Sequence, residues 1–354
     1  MMKKVLYSLL FFSGLHFVAA QVLNKNKIVS AGFNSVQIDT LFQDKISIRA
    51  IVIDKDNVWY AADKNRFGFY DLKSKRKFEN IIVEDSLKLE FRSIAKTNNY
   101  IYVLSVANPG LLYQISKNGR NYKLVYKEKG EKVFYDSMQF WNDKEGIAIG
   151  DPLTDRLCIL KTLDGGFTWN KIPESKLPKI FDGEAHFAAS NTNIIIKGDN
   201  TWIVSGGKKA RVFYSQDKGN SWSIYETPIV QGGKMTGIFT ADFYDAKNGF
   251  VAGGNYEVLN QNFGNKAITR DGGKTWKLIA DNEAFGYASC VQYVPKSNGK
   301  GIVVVGASGL YYSSNGGENW TQFSSDSSLY TIRFINETIA IAAGRDKMIS
   351  IRFK

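Results

Sequence analysis

Short apolar or alternating runs, separated by polar, glycine-marked turns, recur along the chain from about residue 47 onward. Residues 137–172 show the unit: SMQFW, the turn NDKEG, then IAIG, a loop, RLCILKT, a second turn and TWNKI. Runs of four to eight residues with period two, bounded by turn residues, predict strands. The sequence repeats this four-strand unit as ADFY, FVAGG, KAITR and TWKLIA, as CVQYV, GIVVVG, LYYSS and NWTQF, and as HFAAS, TWIVSGG, ARVFYSQ and SWSIY. No helical periodicity of comparable strength appears, and 32 Gly against 6 Pro fit an all-β chain of many turns.

One turn recurs almost verbatim: TLDGGFTW (162–169), SQDKGNSW (215–222), TRDGGKTW (269–276) and SSNGGENW (313–320). The tryptophans that close these boxes, Trp169, Trp222, Trp276 and Trp320, are spaced by 53, 54 and 44 residues. A period of about 40–50 residues with four strands per unit is the signature of propeller blades. Two earlier units, from IRAIVI and FRSIAKT, lack a clean box. The C-terminal runs TIRFI, IAIAAG and MISIRF supply three strands, and SVQIDTLF (35–42) is the candidate fourth. The expected fold is therefore a seven-bladed β-propeller of four-stranded antiparallel blades, occupying 21–354 as one domain. An N-terminal strand would close the last blade and remove its unpaired edge.

Each box position has a conformational task. The acidic or amide residue (Asp164, Asp217, Asp271, Asn315) accepts hydrogen bonds from the turn that follows, and glycine supplies positive φ. Asn315 replacing Asp is tolerable for a turn and not for a catalytic acid, so the boxes read as scaffold.

These residues also resemble the Asp-box, or BNR, repeat of sialidases and of proteins related to the plant photosystem II stability/assembly factor. The segments QFWNDKEGIAIGDPLTDR, GEAHFAAS, ARVFYSQDKGNSW and GNKAITRDGGKTW look most like secreted bacterial relatives of that factor. The resemblance implies a propeller and leaves its activity open.

Lys3 and Lys4 precede an apolar run from Val5 to Val18 and the pair Ala19-Ala20, the layout of a signal peptide over 1–20. A secreted or periplasmic, monomeric protein without a membrane span is expected. The two cysteines, Cys158 and Cys290, lie in strand-like runs and read as buried free thiols. Net charge is +12, or +10 without Lys3 and Lys4. The basic residues lack an aromatic ladder or helix, which disfavours nucleic acid and leaves a protein or an anionic or glycan ligand as partner.

Alignment of the innermost strands at their starts places Arg49, Arg92, Asp136, Ala185, Phe239, Ser289 and Tyr330 around the mouth of the central axis. Loops above them would add Asp151, Arg156, Glu184, Asn255, Tyr256 and Arg345. Guanidinium groups match carboxylates in two-point geometry. Arg49, Arg92, Asp136, Asp151, Arg156, Glu184, Asn255, Tyr256 and Arg345 therefore form the candidate ligand site. Arg211, beside Lys208 and Lys209, is expected to face solvent.

No catalytic residue, cofactor or metal is assigned. Of the two histidines, His16 lies in the signal segment, leaving His186 as a structural residue and disfavouring histidine metal sites and triads. The sharpest enzymatic alternative is a sialidase-like or other glycoside hydrolase. It would use Arg49, Arg92 and Arg333 as an arginine cluster, or paired acids among Asp136, Asp151 and Glu184.

Overall fold

The computed structural model describes residues 32–84 and 86–354. The signal segment expected at 1–20 lies outside them. Among the described residues the chain is all-β apart from one 3₁₀ turn at Glu174–Lys176.

The strands assemble into six hydrogen-bonded sheets, four of four strands and two of six. This corrects the expectation of seven four-stranded blades. The run at 35–42 and the run from Arg49 are not separate strands but one, Val36–Asp54. Its first part pairs with Ile339–Phe353, from Val36 opposite Phe353 to Ser47 opposite Arg345; its second part pairs with Asn57–Ala62. The two C-terminal runs IAIAAG and MISIRF are likewise fused into Ile339–Phe353. Between Phe42 and Arg49 the sequence carries no Gly, Pro or Asn to end the strand, although its register against Ile339–Phe353 shifts between Gln43 and Ser47. The strands from Leu329–Phe334 to Arg76–Ile81 therefore form one six-stranded closing sheet.

The second sheet runs from Phe91–Lys96 to Tyr122–Glu128, the third from Tyr135–Phe140 to Asn170–Lys171, and the fourth from Ile194–Lys197 to Ser223–Glu226. The fifth extends from Thr236–Phe243 to Lys277–Leu278 and adds the short pair Glu184–Ala185 and Gly206–Gly207. The sixth runs from Ala288–Tyr293 to Thr321–Ser324. The extra pair joins the fifth sheet where Gly206 lies opposite Gly237. A Cβ on Gly237 would stand 2.3 Å from the Gly206 Cα, so this approach needs glycine on both chains.

Apolar clusters fill each gap between neighbouring sheets. Between the fourth and fifth, Trp202 stacks on Phe243 at 3.9 Å and donates its indole N–H to the Gly272 carbonyl at 2.8 Å. Cys158 and Cys290 are buried free thiols, and burial pushes the Cys158 thiol up to about 11.

The box turns have the geometry their sequence implies. Asp271 accepts from the Lys274 and Thr275 N–H groups and from the Thr275 hydroxyl, while the Thr269 hydroxyl accepts from Gly273 N–H. Gly273 adopts φ +88°. Asn315 accepts from Asn319 N–H in the same place. Gly165, Gly272 and Gly316 each donate to a carbonyl in the first turn of their own sheet (Lys144, Lys247, Lys300), so the boxes share a face with those turns.

Candidate functional site

A shared irregularity aims side chains at the axis. Six innermost strands contain a register shift at the residue expected to ring the mouth: Arg49, Arg92, Asp136, Phe239, Ser289 and Tyr330. A bulge inserts one unpaired residue, twists the strand and re-aims its side chain. Because the bulge shifts the two-residue alternation, the residue after it falls on the same side of the strand. This set is small throughout: Ala50, Ser93, Ser137, Thr240, Cys290 and Thr331, all buried.

The seventh expected position, Ala185, has no such bulge. The run HFAAS does not form the innermost strand of the fourth sheet, which begins only at Ile194. Instead, residues 187–193 cross the axis as a plug. Asn191 donates to Ile94 O at 2.8 Å and accepts from Met138 N–H at 2.9 Å. Ser190 donates to Ser289 O at 2.6 Å, and the Thr192 and Thr240 hydroxyls meet at 2.8 Å. Arg49 reaches Ala189 O at 3.4 Å and Arg333 reaches Ser190 O at 3.1 Å. One segment thus bonds to all five other sheets, which requires that it occupy the centre.

Above the plug lie two adjoining cavities of about 420 and 240 Å³ that share Arg49, Tyr256 and Tyr287. Their floor is aromatic. Phe187 stacks on Phe239 at 3.9 Å, and Tyr287 stands edge-on to Phe239 at 4.8 Å and to Tyr256 at 5.0 Å. The Arg49 guanidinium lies 4.2 Å above the Tyr330 ring and, among the described residues, has only the long bond to Ala189 O. Arg92 is differently placed, since Glu90 engages its guanidinium at 2.8 and 2.9 Å. Arg345 is exposed on the rim of the smaller cavity, and exposed Lys234 lines the larger.

The structure therefore gathers Arg49, Arg92, Asp151, Tyr256 and Arg345 at the mouth. It sets the other four predicted residues elsewhere. Asp136 is fully buried beneath the surface, and neither carboxylate oxygen has a hydrogen-bond partner. Burial, then the neighbouring Asp151 charge, drives its pKa well above the ordinary carboxylate range; Arg92 and a nearby Ala188 N–H, outside bonding geometry, offset this only in part. Glu184 is buried and held by Arg211, whose Nε donates at 3.0 and 3.1 Å and whose Nη2 bonds the same carboxylate. Arg211 accordingly faces inward, not solvent as its lysine neighbours suggest. Arg156 donates to Leu177 O at 2.6 Å in a separate crevice. Asn255 caps its own loop, accepting from Glu257 N–H at 2.9 Å.

The mouth also contains Phe134, Phe187, Lys234, Met235 and Tyr287, which the sequence did not single out, and His186, to which it assigned a structural role. Phe134 and Tyr287 stand two residues before bulged Asp136 and Ser289, a same-face position that period-two counting finds. Buried His186 pairs its Nδ1 with Val204 O at 2.9 Å, and its backbone N–H donates to Asp151 at 2.9 Å. Burial raises the Asp151 pKa, and that N–H partly counters it.

The acids do not face each other across a cavity, because Glu184 is locked to Arg211 and Asp136 is sealed. The arginine cluster does not form either: Arg49 and Arg92 lie at the mouth, whereas Arg333 lines a cavity beyond the plug.

No family model and no curated protein matches the sequence. Solved structures do match the fold. YCF48 bound to D1 peptide aligns over 91% of this chain and 96% of its own, with a TM-score of 0.66 at 13% identity. YCF48 from Cyanidioschyzon merolae aligns over 90% and 98%, with a TM-score of 0.63 at 12% identity. The Niastella koreensis GH74 enzyme aligns over 88% of this chain but only 53% of its own, with a TM-score of 0.58 at 15% identity. The protein is a β-propeller. It is similar in fold to YCF48 and to about half of the longer GH74 enzyme.

Proposed function

We propose that the protein is an exported recognition module that grips an extended segment of a partner protein across the plugged mouth. The observation that carries this reading is Arg49, a guanidinium with almost no counter-charge, poised above an aromatic floor and flanked by exposed Arg345 and Lys234. Such a surface suits a peptide bearing a carboxylate next to an apolar or aromatic side chain. The carboxylate meets guanidinium donors, and the side chain packs on Phe239 and Tyr287. Support comes from the shared fold with YCF48, whose structure holds a D1 peptide.

The test is a selection of displayed random peptides on the wild type, Arg49→Gln and Tyr287→Leu, with a glycan array in parallel. The reading expects wild-type enrichment of sequences that pair Asp or Glu with an aromatic residue, and loss of that enrichment in both variants. Enrichment indifferent to both substitutions, or glycan binding with no peptide enrichment, overturns it.

A further inference from the structure

The bulges that shape the mouth also define a site on the opposite face. Three residues beyond the bulges stand Val52 and Ala95, which pack in apolar clusters between sheets, and Gln139, Asp242, Gln292 and Arg333, which line one cavity. The first two are apolar; the last four, from the third, fifth, sixth and closing sheets, are polar. With Lys197 from the fourth sheet they enclose a cavity of about 390 Å³ beneath the plug, walled on one side by Trp141.

Its charges do not balance. Each oxygen of half-buried Asp242 accepts from a backbone N–H group, Phe243 at 2.9 Å and Tyr293 at 2.7 Å. Its carboxyl lies within electrostatic reach of Lys197 and Arg333 and offsets at most one of their two charges, leaving one cation in excess. Lys197 Nζ makes no hydrogen bond to any described residue. Arg333 spends Nη1 on Ile332 O at 2.7 Å and on the Thr331 hydroxyl and Cys290 sulfur at 3.2 Å each, and Nη2 on Ser190 O at 3.1 Å, while its Nε–H has no partner among the described residues. The Gln139 side chain likewise makes no hydrogen bond there. Two cations and an amide therefore converge on one polar space with donors to spare, and a polar space walled by cations favours an oxyanion over an apolar guest.

We propose that this cavity binds a small hydrophilic oxyanion, a carboxylate or phosphate group carried by a polar molecule, with Lys197 and Arg333 supplying charge and Gln139 and Gln292 contacting its hydroxyls. The site is distinct from the mouth, because residues 187–193 stand between them.

The experiment titrates the intact protein with glucuronate, with inorganic phosphate and with uncharged glucose, following the indole N–H resonance of Trp141 by NMR alongside calorimetry. Trp141→Phe assigns that resonance. Glucuronate or phosphate should move it and glucose should not. Lys197→Gln should weaken binding about 10-fold or more, the loss of one charge-assisted hydrogen bond. Because the Lys197 ammonium holds no other group in place, this variant should retain the wild-type urea midpoint. Gln292→Ala should weaken glucuronate more than phosphate. A silent Trp141 resonance with both anions overturns the proposal, and so does wild-type affinity in Lys197→Gln.

Discussion

Asn191 is the residue on which the plug turns, and Asn191→Ala gives the most direct test of it. The side chain is buried and saturates two backbone groups of different sheets, Ile94 O and Met138 N–H. Truncation leaves both without their partner, at about 1–3 kcal/mol each. Asn191 also sits at φ +59°, a left-handed conformation that asparagine tolerates better than alanine, which adds about 1 kcal/mol. The expected cost is about 3–7 kcal/mol, read from urea unfolding as a lower midpoint at unchanged slope. Asn191→Gly separates the two contributions, since it removes the same hydrogen bonds but relieves the backbone. Glycine should therefore be the milder substitution by about 1 kcal/mol. An alanine variant within about 1 kcal/mol of the wild type would refute the plug as a structural hub. Equal costs for glycine and alanine would refute the strain component alone.

Three further outcomes follow from the same geometry. Arg211→Met should cost about 3–5 kcal/mol, because it strands the buried Glu184 carboxylate, and Glu184→Leu combined with it should restore much of the loss in the same unfolding assay. Asp136 has a folded-state pKa raised by burial, so its contribution is full below the unfolded value near 4 and declines as pH rises through the folded value. Asp136→Asn should therefore match the wild type near pH 3 and exceed its stability at pH 7, as chemical denaturation across that range would show. In the third box, burial raises the Asp271 pKa but hydrogen bonds led by Thr275 outweigh it and lower the value. Asp271→Ala should cost about 1–2 kcal/mol at pH 7 and Asp271→Asn less, given Asn315 in the same role. The wild-type advantage should fade as pH falls below about 4, with peptide binding at the mouth untouched in both variants.

The sequence makes the local devices legible and conceals the non-local ones. Each box is complete within eight residues, so its turn chemistry can be deduced from the letters alone. Alignment of strand starts also finds six bulged residues, because a bulge moves one side chain without breaking the run around it. HFAAS misleads because its alternation is that of a strand. What makes it a plug is Asn191 in a left-handed conformation and partners up to about a hundred residues away, from Ile94 to Ser289. Arg211 misleads for the same reason: its partner Glu184 is 27 positions distant. The count of sheets fails at 43–48, where the absence of a breaking residue lets one strand serve two pairings.

That double-duty strand gives the molecule an ordering in time. Among the described residues Val36–Asp54 is the first strand in chain order, and Ile339–Phe353, its neighbour on one side, is the last. Until Ile339–Phe353 has been made and docked, half of Val36–Asp54 presents bare amide and carbonyl groups to whatever it meets, which is the hazard of any exposed sheet edge. Loss of the final strand would therefore do more than trim the chain: it would leave the nascent edge permanently open and favour pairing between molecules in place of closure within one.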